Sequence, residues 1–245
     1  MEKIIAVLSF TGKVGKSTIV NNLLLPRMPN AAYIEMETIN VSGQNDATET
    51  LKLKGREIGK MQDALRKTKS AVVDVGASNV EAFMLALKQQ SGAHFDFDYF
   101  IVPIEANSSK HNEAEEAMKT IDALAGIGIE PDRIKVIFNK LLADSNVEEE
   151  AARIFNFHKS NKKFTLDARA TIHDTPAFKA LAEVKKTYIE MIGDKTNYRQ
   201  QFRETPLEED DHRLHLTKMM RAQGCVQAIH TEFNSVFSAL FAEQV

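Results

Sequence analysis

The feature that most constrains the fold of this chain is a regular alternation of short apolar runs and longer amphipathic stretches. The apolar runs are too short for helices, whereas the stretches between them repeat apolar residues at helical spacing. Strands that are apolar on both faces are typical of parallel sheets covered by helices on both sides. The sequence therefore predicts an α/β fold, a doubly wound and mostly parallel sheet with helices on both faces. The predicted strands are Ile4–Ser9, Ala32–Met36, Ala71–Val75, Tyr99–Ile104 and Ile134–Phe138, with a sixth near Phe164–Leu166, and the predicted helices are Lys16–Leu25, Glu57–Arg66, Asn79–Gln90, Ser109–Leu124 and Val147–Phe157.

The C-terminal part of the chain has a different character. Asp194–Asp211 is polar and charged, and a helical pattern runs from His212 to Phe241. A chain of 245 residues is long enough to bury one large core. We therefore predict an α/β domain over residues 1–193 and a helical extension over residues 194–245 that packs on the same domain.

Composition excludes several classes of function. The formal net charge of −3 gives no overall positive field that would attract nucleic acid. No apolar stretch reaches the roughly 18 residues that a membrane-spanning helix needs. The single cysteine, Cys225, allows no internal disulfide, which suits a reducing compartment. We therefore expect a cytoplasmic protein.

Two local features have a nucleic-acid or a membrane interpretation that we do not favour. His158–Lys163 and the pair Lys185-Lys186 are basic, but few aromatic side chains lie among them and acidic Glu148–Glu150 is close in sequence. We interpret them as a solvated surface and predict that direct DNA contact is weak or absent. The apolar face of the last helix lies in Cys225–Val245, which holds no Lys or Arg for anionic lipids. We predict that this face packs on the body or against a second copy, without membrane contact.

A glycine- and lysine-rich segment, Phe10–Thr18 (FTGKVGKST), follows the first predicted strand and precedes the first predicted helix. This context is typical of a phosphate-binding loop. Gly12 and Gly15 let backbone amides approach phosphate oxygens, and these amides form an anion cradle with the helix N-terminus. Lys16 is placed to contact the β- and γ-phosphates, and the Ser17 hydroxyl to ligate Mg²⁺. The predicted nucleotide-binding residues of the loop are Thr11, Gly12, Lys13, Val14, Gly15, Lys16, Ser17 and Thr18.

Carboxylates at the ends of two further predicted strands support a nucleotide site. Val72–Asp74 is an apolar run that ends in a carboxylate, the form of a Walker B strand, and Asp74 would hold Mg²⁺ through water. Glu35 and Glu37 lie at the end of the second predicted strand and could orient water or the shell of the metal. The candidate catalytic residues are thus Lys16, Glu35, Glu37 and Asp74. For Glu35 and Glu37, a solvated acidic turn remains the alternative.

Asn139 ends a later predicted strand, at a position where nucleotide bases are often read. A GTPase would continue as Asn-Lys-x-Asp, but Leu142 stands where the aspartate would be. The carboxylate that pairs with the guanine amino group is missing, so the sequence favours adenine, and hence ATP. A plain strand-end cap remains the alternative role for Asn139.

The loop is similar to the deviant Walker A motif of ParA/MinD-type ATPases, K-G-G-V-G-K-[ST]-T, with Thr11 in place of the signature lysine and Lys13 in place of a glycine. Within that superfamily the chain resembles the StbB-like plasmid stability proteins, whose loop reads F-[ST]-G-x-V-G-K-[ST]-T. The segments that carry the resemblance are Phe10–Thr18, Leu25–Pro29, Glu37–Asn40, Leu53–Gly59, Val73–Glu81, Phe97–Pro103 and Asp194–Tyr198.

The resemblance implies a ParA-like fold, Mg²⁺-dependent ATP binding, and a role in plasmid stability, partition or conjugative transfer beside a DNA-binding partner protein in the bacterial cytoplasm. It also implies that a homodimer could form across the nucleotide, because the signature lysine of the superfamily reaches the partner's nucleotide. Thr11 cannot do this, which leaves ATP hydrolysis open. Lys13 is our candidate replacement.

Two other functions remain open. Val14–Ser17 also resembles the V-G-K-T ending of the loop in dethiobiotin synthetases, which would make the chain a metabolic ATP-dependent enzyme with a second concave site for a small carboxylate or amine. The common G-x-x-x-x-G-K-[ST] spacing would need Gly where this chain has Phe10. The loop could therefore be a degenerate remnant in a scaffold that binds no nucleotide.

Overall fold

The computed structural model describes residues 1–37, 50–54, 56–106 and 111–241. Within these ranges the chain forms a seven-stranded sheet in the order β3-β2-β4-β1-β5-β6-β7, and every pair of neighbouring strands is parallel. The strands are β1 (Ile4–Leu8), β2 (Ala32–Met36), β3 (Thr50–Leu53), β4 (Ala71–Val75), β5 (Tyr99–Glu105), β6 (Ile134–Leu141) and β7 (Thr171–His173). The predicted α/β fold with a parallel sheet is confirmed.

Helices join the strands and cover the sheet. They are α1 (Lys16–Ile19), α2 (Ile58–Leu65), α3 (Val80–Gln89), α4 (His111–Ile127), α5 (Val147–Glu150), α6 (Ala152–Asn161), α7 (Ala177–Glu183), α8 (Tyr188–Gly193), α9 (Tyr198–Glu204) and α10 (Asp210–Phe241). Single 3-10 turns lie at Leu25–Arg27, Ala77–Asn79, Ala93–Asp96 and Pro131–Arg133, and a π-helical turn lies at Val20–Leu24.

The sheet separates two apolar cores because successive side chains of a strand point to opposite faces. In β1, Ala6 and Leu8 belong to one core and Ile5 and Val7 to the other, and all four are fully buried. The first core also contains the buried residues of α2, α3 and α4, and the second contains those of α7 and α10. Helices therefore cover both faces, as the doubly wound pattern predicts.

The largest helix lies on the second core. Its buried residues repeat at three- and four-residue spacing and share the core with Ile5 and Val7 of the central strand. They are Leu216, Met219, Ala222, Val226, Ile229, Phe233, Val236 and Leu240. None of the helices in the described ranges is both long enough and apolar enough to span a membrane. The division of the chain at residue 193 stays a prediction.

Several local expectations were wrong. The segment near Phe164–Leu166 forms only an isolated bridge, between Thr165 and Lys135, and the edge of the sheet is β7 instead. The predicted helix Val147–Phe157 is broken at Ala151 into α5 and α6. Strands β3 and β7 and helices α7, α8 and α9 were missed because they are too short to show a clear period. Part of the predicted helix Ser109–Leu124 and of the Glu37–Asn40 and Leu53–Gly59 segments lies outside the described residues.

The predicted helix Lys16–Leu25 is regular only in its first turn. It continues as the π-helical turn Val20–Leu24 and ends in a 3-10 turn. The Arg27 guanidinium donates to the carbonyls of Asn22 and Leu23, at 3.3 and 3.1 Å. It thus satisfies acceptors that the end of a helix leaves without intrahelical partners.

Candidate functional site

The predicted phosphate loop lies at the carboxyl end of the central strand, between β1 and α1. Gly15 caps α1 in a left-handed conformation, with φ of 89°, and Lys13 also has a positive φ, of 65°. The cap has no side chain that accepts a hydrogen bond from the first helical amides. These amides are therefore available to an anion at the helix N-terminus.

Phe10 is the residue that departs from the common loop pattern, and its side chain does not fill the predicted phosphate loop. Its side chain packs against the first apolar core, and its backbone amide donates to the Thr120 hydroxyl at 3.4 Å. At the next position the Thr11 hydroxyl is buried, and within the described part of the chain it has no hydrogen-bond partner. The aromatic ring at position 10 is thus compatible with an open loop.

Lys16 lies over the loop, and its Nζ donates to the Thr11 carbonyl at 3.2 Å. Burial lowers the pKa of Lys16, although the charges of Asp74 and Glu37 oppose this effect. The ammonium group is therefore only partly hydrated, and it is held by a backbone acceptor, the Thr11 carbonyl, that phosphate oxygens could replace. This position fits the predicted phosphate-binding role.

Ser17 and Asp74 meet at the first turn of α1. The Ser17 hydroxyl donates to Asp74 Oδ2 at 2.9 Å, and Asp74 is 4% exposed. Burial raises the pKa of Asp74 to about 6, against the Ser17 hydrogen bond and the Lys16 charge, which lower it. A buried carboxylate beside a hydroxyl suits a hard cation, whose charge would offset the cost of burying the carboxylate. The two residues thus fit the predicted Mg²⁺ position, Ser17 as ligand and Asp74 through water.

The described residues hold no group of three or more His, Cys, Asp or Glu side chains that could bind a metal by themselves. A cation at Ser17 would therefore need oxygen ligands from elsewhere, as Mg²⁺ does when it is bound together with nucleotide phosphates.

Glu35 and Glu37 lie at the same end of the sheet. Glu35 is paired in register with Asp74 across β2 and β4, and its carboxylate lies 3.4 Å from Lys52 Nζ. Both glutamates raise the pKa of Asp74, and Glu37 raises that of Lys16. They contribute negative charge around the predicted metal position, but their catalytic role stays a prediction.

Tyr33 is a residue of this site that sequence reasoning missed. It is 8% exposed, and burial together with the Asp74 charge raises the pKa of its phenol well above the ordinary value. The period of two along β2 could have found it, because Tyr33 and Glu35 share a face of the strand. Its phenol therefore stays neutral beside the buried carboxylate.

Asn139 is turned toward the loop. Its Nδ2 donates to the Val14 carbonyl at 2.8 Å, and a Cβ added to Gly15 would lie 2.2 Å from that nitrogen. The neighbouring residue, Lys140, donates through Nζ to the Lys13 carbonyl at 2.7 Å. Sequence reasoning assigned Asn139 to the base and overlooked Lys140. Lys140 directly follows Asn139 in the sequence, and this adjacency could have indicated that it also lies near the loop.

The remaining loop residues are placed as follows. Val14 is 2% exposed, so only its backbone can face a ligand, whereas Gly12 and Lys13 are exposed. The Thr18 carbonyl accepts a hydrogen bond from Asn22 Nδ2 at 2.9 Å. The fold therefore brings Thr11–Thr18 to one end of the sheet, together with Asp74 and Asn139.

A cavity of about 720 Å³ adjoins α1 on the side of Ser17. The first helical segment, β2 and the α7–α8 region form its walls. Polar side chains that line it include Ser17, Asn21, Asn22, Tyr33 and Lys186. The cavity therefore lies directly beside the predicted metal position.

The sequence matches no protein-family model, and no curated protein matches it. Solved structures with a similar fold include a putative plasmid partition protein of Borrelia burgdorferi bound to AMPPNP, with 17% identity, a TM-score of 0.46, and 70% of this chain covering 86% of that one. They also include the ATP complex of a Cyanothece McdA variant, with 12% identity and a TM-score of 0.46. The match covers 91% of this chain and 96% of that one. A third is the pnob8 ParA, with 11% identity and a TM-score of 0.49. The match covers 96% of this chain and 99% of that one.

Proposed function

We propose that this chain is an ATP-binding molecular switch of the ParA/MinD type. The observation that carries the proposal is the assembly of Lys16, Ser17 and Asp74 around the loop that follows the central strand, with Gly15 in a left-handed conformation. An ammonium group, a hydroxyl and a buried carboxylate in this arrangement serve one triphosphate and one divalent cation.

Each group has a separate task in this proposal. The amides of the loop and the first turn of α1 bind phosphate oxygens, and Lys16 exchanges the Thr11 carbonyl for the β- and γ-phosphates. Ser17 and Asp74 would hold Mg²⁺, Ser17 as a direct ligand and Asp74 through water, and the cation would supply neutralisation of the phosphate charge. The γ-phosphate would then change the position of the neighbouring strand ends, the kind of change that alters affinity for a partner.

The finer role that we propose is in plasmid stability, partition or conjugative transfer, in the cytoplasm of a bacterium and with a DNA-binding partner protein. The support is the StbB-like pattern of the sequence. The net charge of −3 supports weak or absent direct DNA contact.

Lys13 is the proposed substitute for the signature lysine across a homodimer. Thr11, which occupies that position, has a buried hydroxyl and no cationic group. Lys13 is exposed, and its contact with Lys140 is made through its backbone carbonyl. If Lys13→Ala leaves ATP-dependent dimerisation unchanged in light scattering, this part of the proposal is wrong.

The experiment that tests ATP binding is a titration with a fluorescent ATP analogue. Lys16→Ala should lose affinity while its thermal unfolding stays cooperative, and Lys88→Ala, a change of the same kind on the exposed face of α3, should bind as the wild type does. Equal affinity of the Lys16→Ala variant and the wild type would refute the proposal. A nucleotide-free scaffold would show no stabilisation by Mg-ATP. For a protein that binds it, ligand at about 100 times its Kd adds about 2.7 kcal/mol to the free energy of unfolding.

A second candidate function is a metabolic ATP-dependent enzyme of the dethiobiotin synthetase-like branch. The cavity beside Ser17 favours it, because such an enzyme needs a concave site for a small carboxylate or amine next to the γ-phosphate. Asn21 and Asn22 amides and the Lys186 ammonium line that cavity. Incubation of the protein with Mg-ATP and small carboxylates or amines, followed by mass spectrometry, decides between the two functions through the appearance of a product.

A further inference from the structure

Lys13 adopts a backbone conformation that its side chain disfavours. Its φ of 65° is in the left-handed region, which glycine enters freely and other residues enter at a cost. Lys140 at the end of β6 also has a positive φ, of 57°. Two lysines in this conformation at contacting positions call for an interaction that holds them there.

Two contacts of the Lys140 ammonium group provide that interaction. Nζ donates to the Lys13 carbonyl at 2.7 Å and lies 3.0 Å from Glu105 Oε2. The Glu105 side chain is only 9% exposed and stands at the end of β5, in register with Asn139. The ion pair is therefore anchored to the sheet, and it holds the ammonium group against the loop.

The next residue of the loop is held in the same way. Asn139 donates to the Val14 carbonyl while Lys140 donates to the Lys13 carbonyl, so adjacent residues of β6 hold adjacent carbonyls of the loop. In a trans peptide the C=O and the following N–H point in opposite directions. Fixing these carbonyls toward β6 turns the amides of Val14 and Gly15 away from β6.

We infer that Lys140, oriented by Glu105, is a positioning residue that keeps Lys13 left-handed and thereby aims the loop amides at the phosphates. This inference rests on the proposed function, because the direction of the amides matters to a ligand only if the loop binds phosphate. Lys140 itself acts through the loop backbone.

The test compares the change Lys140→Met in two backgrounds, Lys13→Ala and Lys13→Gly. Both backgrounds lack the Lys13 side chain, but only alanine keeps the Cβ that disfavours a positive φ. In the alanine background Lys140→Met should weaken binding of the ATP analogue about tenfold, and in the glycine background it should have much less effect. Lys135→Met, the same change at the opposite end of β6, is the control and should leave binding unchanged in both backgrounds.

Hydrogen exchange of the loop amides, measured without nucleotide, is the second readout. Lys140→Met should speed exchange of the Val14 and Gly15 amides in the alanine background. An equal effect of Lys140→Met in both backgrounds, or no effect in either, would overturn the inference. If the wild type binds no nucleotide, the proposed function fails, and the exchange rates alone then decide whether Lys140 positions the loop.

Discussion

Replacing Gly15 by alanine should destabilise the protein even in the absence of nucleotide. The residue has a φ of 89°, and an added Cβ would lie 2.2 Å from Asn139 Nδ2. Asn139 is 5% exposed, so its side chain cannot swing into solvent, and any shift breaks its hydrogen bond to the Val14 carbonyl. The left-handed conformation costs roughly 1–2 kcal/mol, and the lost hydrogen bond costs about 1 kcal/mol.

We therefore expect Gly15→Ala to lower the free energy of unfolding by about 2–3 kcal/mol, which corresponds to a fall in Tm of roughly 5–10 °C for a chain of this size. The assay is urea unfolding of the nucleotide-free protein followed by circular dichroism. Gly12→Ala is the matched control, because among the described residues no atom other than those of its chain neighbours lies within 4 Å of a Cβ at that position. We expect it to unfold close to the wild type.

The clash itself can be separated from the backbone cost. In the double variant Gly15→Ala with Asn139→Ala the atom that meets the new Cβ is gone, so the two changes together should cost less than the sum of each alone. If Gly15→Ala and Gly12→Ala unfold at the same urea concentration, the close packing of Asn139 on the loop is refuted.

Three further predictions address the metal position, the end of the first helical segment and the C-terminal helix. Because burial raises the pKa of Asp74 from 3.8 to about 6, the fold favours its protonated form, and stability falls as pH rises through this range. Asp74→Asn should therefore add up to about 3 kcal/mol to the free energy of unfolding above pH 6 without nucleotide or metal, and nothing below about pH 4, in urea titrations across pH. Arg27→Met removes the two hydrogen bonds to Asn234 Oδ1, of 3.0 and 2.8 Å, together with those to the carbonyls of Asn22, Leu23 and His230 and to the Tyr188 hydroxyl. It should cost at least about 2 kcal/mol in the same assay. Arg66→Met, on an exposed ion pair, should cost under about 0.5 kcal/mol. Phe233→Ala should cost about 3–5 kcal/mol and keep a single unfolding transition; a separate early transition would show that residues 194–245 do not unfold with the α/β domain.

The sheet was predictable because its signal is local. Strands β1, β4 and β5 are buried on both faces, so each appears in the sequence as a short apolar run. Strand β3 has an exposed pair of residues in its burial pattern, and β7 has only three residues. Both lie at the edges of the sheet, where fewer neighbours demand apolar side chains, and this is why neither was predicted.

The candidate site was predictable as a set of residues but not as a set of contacts. The loop, Asp74 and Asn139 could each be recognised from the strand that precedes them. The sequence did not indicate that Asn139 holds the Val14 carbonyl, nor that Tyr33 lies against Asp74. Each of these depends on which strands are neighbours.

The sequence by itself determined that this chain forms a parallel sheet with a glycine- and lysine-rich loop after its first strand, because apolar runs and glycine positions are properties of short segments. Only the tertiary structure decided the strand order, which brings the end of β6 to a loop 125 residues earlier in the chain. The shape of the loop is therefore set from outside it. Lys13 remains left-handed without glycine's freedom because Lys140, which is paired with Glu105 of the neighbouring strand, reaches its carbonyl.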